Sequence, residues 1–204
     1  MRTRLPRAER EQQMLDTARA LFAERGYADV TMDSVAAAVG VTKPLLYNYF
    51  GNKEQLFLAC MKPAADALVE SVVSAVQGAA DAPAALRDGI HAFFAFLDSD
   101  GEAWRVLHDD SLPSGGEIAL RIAEYRARME SLVIAALRER RREGVLRESG
   151  FPDGTESRAV EPVSVAIFGA AEALGRWWLR TDAMSAERTA ELLIRTIEPG
   201  LRTR

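Results

Sequence analysis

The chain has 204 residues, 48% hydrophobic and 27% charged, which suits one or two water-soluble globular domains with a buried core. No run of about 18 apolar residues is present to span a membrane; the first ten residues, MRTRLPRAER, lack the apolar stretch of a secretory signal, and one cysteine, Cys60, excludes an internal disulfide framework, so a reducing cytoplasm is expected. The net charge of −4 is unevenly spread: residues 1–60 hold eight Lys/Arg against seven Asp/Glu, so the acidic excess lies downstream.

Met14, Ala18, Leu21 and Phe22 recur at helical spacing and predict a first helix from about Arg7 to Arg25, ended by Gly26. Over the first ten residues Arg2, Arg4, Arg7 and Arg10 stand against one acid, Glu9. Such an arm suits phosphate or minor-groove contact, or equally a solubilising tail. The stretch Thr31 to Lys53, TMDSVAAAVGVTKPLLYNYFGNK, reads as two short helices around a tight turn. Thr31 is the expected N-cap of the first, and Gly40 stops it because glycine accepts the left-handed backbone of a helix end. Thr42 is the expected cap of the second, with its side chain bonded to the Leu45 N–H, since Pro44 in the first turn has none.

At about 100° per residue, Leu46, Tyr49 and Phe50 share an inward face of the second helix. Pro44 and Asn48 centre the opposite face, flanked by Tyr47 and Lys43 on one edge and Leu45 on the other. A merely solvated face would be rich in Glu and Lys. An amide, an ammonium, a phenol and apolar groups together suit a helix in the major groove, where Asn pairs with adenine, Lys reaches guanine or phosphate, and apolar groups meet the thymine methyl. Two short helices around a glycine turn form a helix-turn-helix.

The run LDTARALFAERGYADVTMDSVAAAVGVTKPLLYNYFGNKEQLF, Leu15 to Phe57, resembles the N-terminal domain of TetR-type transcriptional repressors. Leu21-Phe22, Gly26-Tyr27, Thr31, Gly40-Val41, Leu46-Tyr47, Phe50 and Lys53-Glu54 sit in that family's register. The resemblance implies an all-α fold of about nine helices in a two-fold dimer. A three-helix helix-turn-helix domain over residues 7–57 would precede a ligand-binding and dimerisation bundle over residues 58–204. The DNA-contact set it implies is Thr31, Thr42, Lys43, Pro44, Leu45, Tyr47, Asn48 and Lys53, the last on phosphate. At Leu45 the chain departs from the small or hydroxylated residue common in the family, so a docking mode carries over and an operator sequence does not.

Beyond Lys53 a long helix is expected to about Val76, kinked or divided by Pro63. Cys60 lies on it among apolar neighbours, as an inert buried thiol or as a redox sensor. A fifth helix after Pro83 carries Leu86, Ile90, Phe93, Phe94 and Leu97 on one arc, with His91 at its edge. A short helix spans Glu102 to His108, LPSGG makes a turn, and a long helix from Glu117 to Glu143 carries the stripe Ile118, Ile122, Tyr125, Met129, Leu132 and Ala136. Its last turns, RERRRE, read as a solvated face at a helix C-terminus. Gly144 to Gly154 is an expected loop. The eighth helix, from Thr155 or Arg158 to Arg180, has an apolar arc more than twice that of a surface helix, with Glu161, Gly169, Glu172, Arg176 and Arg180 on the remainder. It must be covered on two sides, by its own bundle and by a second subunit. A ninth helix capped by Ser185 carries Ala190, Leu193, Ile194, Ile197 and Leu201 inward and Leu192 outward. Helices 8 and 9 would pair into a four-helix dimer interface, with Phe168, Ala171, Gly175 and Leu192 as its candidates.

The chain has two histidines, His91 and His108, and no metal signature, phosphate loop or nucleophile motif, so no catalysis, metal or cofactor is expected. The aromatics of the second half are core, or line a cavity. By resemblance we place a small-molecule pocket among helices 4 to 8, lined by His91, Phe94, Trp104, His108, Tyr125, Met129, Leu174 and Trp178, for a hydrophobic or aromatic effector. The expected function is a cytoplasmic, nucleoid-associated repressor that binds a palindromic double-stranded operator as a homodimer and is released by the effector. The alternatives are an activator on the same fold, and a helical enzyme or binding module without DNA function.

Overall fold

A computed structural model describes residues 6–143 and 160–201. Arg2, Arg4, the expected Gly144–Gly154 loop and the expected starts of helix 8 at Thr155 or Arg158 lie outside the described residues. Those residues form nine α-helices and no strand: α1 Arg7–Asp29, α2 Met32–Val39, α3 Lys43–Phe50, α4 Lys53–Gly78, α5 Ala82–Ser99, α6 Gly101–Leu107, α7 Gly116–Arg142, α8 Val160–Thr181 and α9 Ala186–Leu201. They divide into two compact units, Met1–Asp66 with Glu102–Ala123, and Ala67–Gly101 with Glu124–Arg204. The first unit therefore takes in most of α6 and the start of α7, and is not a simple N-terminal segment.

In the first unit α1 buries the expected stripe Met14, Ala18, Leu21 and Phe22. Gly26, at φ 78 and ψ 164, breaks the helix in a backbone region that essentially only glycine enters, and residues 27–29 add one further turn. The amides exposed by that break are capped from far along the chain. The Tyr27 N–H donates to Asp109 Oδ2, and the Ala28 N–H donates to Ser111 Oγ at 3.0 Å. A Cβ on Gly26 would stand 3.2 Å from the same carboxylate and hydroxyl. The Phe22, Tyr27 and Phe57 rings pack at 5.1 to 6.1 Å around this corner.

In the second unit α5 and α9 lie together. Leu86, Ile90, Phe93, Phe94 and Leu97 of α5 and Ala190, Leu193, Ile194 and Leu201 of α9 are buried. Arg87 pairs with the buried Glu198 at 3.0 Å, and His91 reaches Glu191 at 3.2 Å. Asp81 caps α5, accepting from the Ala84 N–H at 2.6 Å. The Trp178 indole N–H donates to the Met184 carbonyl at 2.6 Å, tying the end of α8 to the turn before α9.

Several sequence expectations change. Pro63 sits inside α4, which runs unbroken from Lys53 to Gly78 and is not divided. The Thr42 side chain makes no cap bond; the Leu45 N–H takes the Thr42 carbonyl instead, at 3.0 Å. Glu172, expected on the polar arc of α8, is buried and paired with Arg126 at 2.6 Å. Within RERRRE, Arg138 and Arg142 are exposed but Arg140 is 2% exposed, because its position falls on the inward side of α7 with Ala136 and Leu137.

Replacing Gly26 with Ala is expected to cost about 1–3 kcal/mol in urea unfolding, since both the backbone region and the Asp109 carboxylate resist a Cβ. Gly40→Ala, at φ 76 with nothing within 4 Å of a new Cβ, is expected to cost only the left-handed penalty of about 1–2 kcal/mol. Equal losses at the two positions would contradict the crowding at Gly26.

Candidate nucleic-acid interface and effector cavity

The turn between α2 and α3 is fixed by its caps. Thr31 Oγ1 accepts from the Ser34 N–H at 3.1 Å and Ser34 Oγ accepts from the Thr31 N–H at 3.0 Å, a reciprocal capping box with serine in the usual Glu/Gln position. Gly40 takes the left-handed conformation, and its N–H donates to the Ala36 and Ala37 carbonyls at 3.0 and 3.2 Å. α3 then buries Leu46 and Phe50 and half-buries Tyr49. Thr42, Lys43, Pro44, Tyr47 and Asn48 are exposed, Leu45 is half-buried, and Thr31 is exposed at the start of α2. The outward face of α3 thus carries the amide, the phenol, the proline ring and the ammonium side by side.

Two cations of the expected DNA-contact set are engaged within the chain. The Lys53 ammonium lies 3.2 Å from the Ala28 carbonyl and 4.3 Å from the Tyr27 ring centroid. Burial there lowers its pKa, against the opposing pull of Asp29 and Asp109. It holds the Gly26 corner in this structure and is half-exposed there. The Lys43 ammonium pairs with Asp33 of α2, whose hydrogen bond is the main cause of its raised pKa. The Arg7 guanidinium stands 5.3 Å from the Tyr49 ring centroid, tying the start of α1 to α3. Cys60 is 4% exposed and burial pushes its thiol up to about 12. A protonated buried thiol is unreactive, which favours the inert reading.

The second unit holds an apolar pocket of about 470 Å³, a volume that runs out into open solvent. Val72 and Val76 of α4, Ala85, Leu86, Gly89, Ile90 and Phe93 of α5, Met129, Leu132, Val133 and Ala136 of α7, and Ile167, Phe168 and Ala171 of α8 line it. Every lining side chain is apolar, so the part of a ligand it holds must be hydrocarbon. Arg126 lies 5.5 Å from the Phe168 ring centroid and pairs with Glu172 at 2.6 Å.

Of the eight pocket residues expected from sequence, Met129 alone lines this cavity. Phe94 is fully buried and packs edge-on against Phe93 at 5.1 Å. Trp178 ties down the end of α8, Leu174 is half-buried, and His91 pairs with α9. Tyr125 is buried, its hydroxyl pKa raised by burial and then by Glu172. Trp104 and His108 belong to the first unit, stacked on each other at 3.4 Å. The space is made by small residues, Ala85, Gly89, Ala136 and Ala171, set into the apolar stripes of the core, and not by the conspicuous polar and aromatic side chains. A Cβ on Gly89 would stand 3.1 Å from Val76.

Of the expected dimer-interface residues, Phe168 and Ala171 line the cavity and Gly175 is buried within the chain. Leu192 is 46% exposed. Among the described residues no group of three or more His, Cys, Asp or Glu could hold a metal, and no helix is long and apolar enough to cross a membrane.

Two family models match the chain: "Bacterial regulatory proteins, tetR family" over residues 14–60 and "Tetracyclin repressor-like, C-terminal domain" over residues 82–198. The chain belongs to the TetR family of transcriptional regulators. It is 30% identical over 179 residues to the HTH-type transcriptional activator FasR of Mycolicibacterium smegmatis, covering 88% of this chain and 76% of that one. Among solved structures it is similar to a TetR-like transcriptional regulator from Rhodococcus sp. RHA1, with 28% identity, a TM-score of 0.75 and coverage of 93% and 94%. It is also similar to AibR, solved in complex with isovaleryl coenzyme A and operator DNA, with 25% identity, a TM-score of 0.75 and coverage of 93% and 98%. The TetR-family model fits the helix-turn-helix of α2 and α3, and the C-terminal model covers α5 to α8 and most of α9.

Native protein at pH 8 is expected to leave Cys60 unmodified by iodoacetamide while urea-unfolded protein is alkylated. The thiol also sets a sign for alkaline stability. Its ordinary pKa of 9.0 applies to the unfolded chain, which therefore ionises first as pH rises. Stability falls between pH 9 and about 12 on its account and is untouched by it below pH 9. Removing the group, as in Cys60→Ala, should flatten part of that alkaline loss.

Proposed function

We propose that the protein is a ligand-responsive, sequence-specific repressor that binds a palindromic double-stranded operator as a homodimer in the cytoplasm. The outward face of α3 carries this reading. Leu46 and Phe50 anchor the helix, so Pro44, Tyr47 and Asn48 stand free for base edges, while the Thr31 and Thr42 hydroxyls flank them for phosphate. Lys53, half-exposed with one N–H on the Ala28 carbonyl, has donors left for phosphate.

An uncovered apolar strip supports the dimer. Pro162, Val165, Ala166 and Ala173 are exposed along one side of α8, with Val165 at 55%, and Leu192 is exposed on α9. Pairing this face about a two-fold axis gives a four-helix interface and fixes two copies of α3 about one helical turn of DNA apart, roughly 34–36 Å. The cavity supports a small hydrophobic effector, and AibR's bound isovaleryl coenzyme A supports a ligand with a short aliphatic end. Release needs the effector to bind better to a conformer with the heads at the wrong spacing; only that difference in affinity moves DNA. An activator on the same fold is the second reading, supported by the resemblance to FasR. The bound site's position relative to the promoter separates the two.

Binding-site selection with purified protein tests the reading. It should return a palindrome, on which Asn48→Ala loses about 1–3 kcal/mol and relaxes preference at one position per half-site. Uniform weakening on all sequences would remove Asn48 from base reading. In light scattering, Val165→Asp with Leu192→Asp should yield a folded monomer with weakened operator binding. Phe168→Ala should instead lower unfolding stability by about 3–5 kcal/mol, because that ring faces inward. A persistent dimer in the double variant would move the interface elsewhere.

A further inference from the structure

Lys43 is the only charged residue of α3, and it is not a bare cation. Its ammonium spans the turn to α2, 2.8 Å from Asp33 Oδ1 and 3.0 Å from Oδ2. The Tyr47 ring centroid lies 5.9 Å from the same nitrogen. The Lys43 and Asp33 side chains are 53% and 65% exposed, so the pair stands on the surface beside Pro44 and Asn48. A lone lysine at the start of a recognition helix would gain from any phosphate and would add counterion release on every sequence. A lysine paired with a carboxylate gains less from phosphate, because the carboxylate beside it repels the same phosphate and cancels most of the local positive charge.

A donor and an acceptor held side by side match a base-pair edge instead. A G·C pair presents two adjacent acceptors, guanine N7 and O6, followed by the cytosine N4 amino donor. An A·T pair breaks up its acceptors with the adenine amino group, which is a poorer partner for an ammonium. Resting on the reading of α3 as the DNA-reading helix, we propose that Asp33 and Lys43 act as one unit that reads a G·C pair in the major groove. Lys43 keeps one N–H on Asp33 and donates the other two to guanine O6 and N7, which leaves an Asp33 oxygen to accept from cytosine N4. Asp33 is thereby a specificity-determining residue twice over: it contacts a base, and it withholds Lys43 from indiscriminate phosphate binding.

The test compares full-length wild type, Asp33→Asn and Lys43→Ala in binding-site selection, and in salt titrations of binding to a random-sequence duplex. Thermal melting accompanies each, and the Thr31–Ser34 capping box, which uses neither side chain, should keep α2 in place. Wild type should select G·C at one position of each half-site, and both variants should lose that preference while keeping the position read by Asn48. Asp33→Asn should bind random duplex more tightly, with a plot of log K against log salt steeper by about one unit. Lys43→Ala should leave the random-duplex slope near that of wild type. The proposal is overturned if Asp33→Asn selects the wild-type site with an unchanged slope, if Lys43→Ala flattens the slope by a full unit, or if the pair's position selects A·T. In those three outcomes the wild-type operator remains and the DNA-binding reading stands. Wild type that selects no sequence sinks that reading, and this one with it.

Discussion

Eight residues make a poor helix by themselves, since isolated helices shorter than about 12–15 residues are marginal in water. α3 exists because Leu46 and Phe50 bury and because its flanks are prearranged, by the left-handed Gly40 on one side and Gly51 on the other. Burying those two side chains also sets the rotation of the helix about its axis. Once they point inward, Lys43, Pro44, Tyr47 and Asn48 cannot do so. The identity of the exposed face and the stability of the head are therefore one fact. This is the constraint on which the functional reading depends.

The second unit is built on the opposite economy. Helices α4, α5, α7 and α8 carry the apolar stripes of an ordinary core, yet small residues at Ala85, Gly89, Ala136 and Ala171 leave space between them. An apolar void forfeits contacts and stability, so a chain that keeps one gives up packing its own side chains could have supplied. A ligand that restores those contacts recovers the loss on binding. The absence of polar groups in the lining means that shape and length would select such a ligand, with orientation set by whatever part remains outside.

Several of the protein's charges are committed internally. Lys43 meets Asp33, Lys53 meets the Ala28 carbonyl, Arg126 meets Glu172 and Arg87 meets Glu198. The overall excess of acid is consequently no obstacle to a DNA-reading role, because a short-range pattern of donors on one helix face matters more for base recognition than the sum over the chain. Two of these pairs are structural. Glu172 and Glu198 are buried, and removing the partner of a buried carboxylate leaves a desolvated charge. The Lys53 contact and the Asp109–Ser111 bonds act on one corner, holding the peptide groups that follow Gly26 by both carbonyl and amide.

Local chemistry determined a good deal without coordinates. Helix periodicity placed α1, α5, α7 and α9, Gly26 marked the break in α1 and Gly40 the end of α2 because few other residues tolerate a positive φ, and the wheel of α3 separated its buried from its exposed side chains. These are properties of a few neighbouring residues. Tertiary structure alone decided the rest. On α8 nearly every position is apolar, so the wheel could not say which part faces the bundle; the packed helices put Phe168 and Ala171 inside and left Val165 and Ala166 outside. Nor could spacing show that residues 27 and 109 meet, that Lys53 turns back onto Ala28, or that a cavity opens between four helices. Each of those depends on chain segments brought together from a distance, and no period within a single helix encodes its partner.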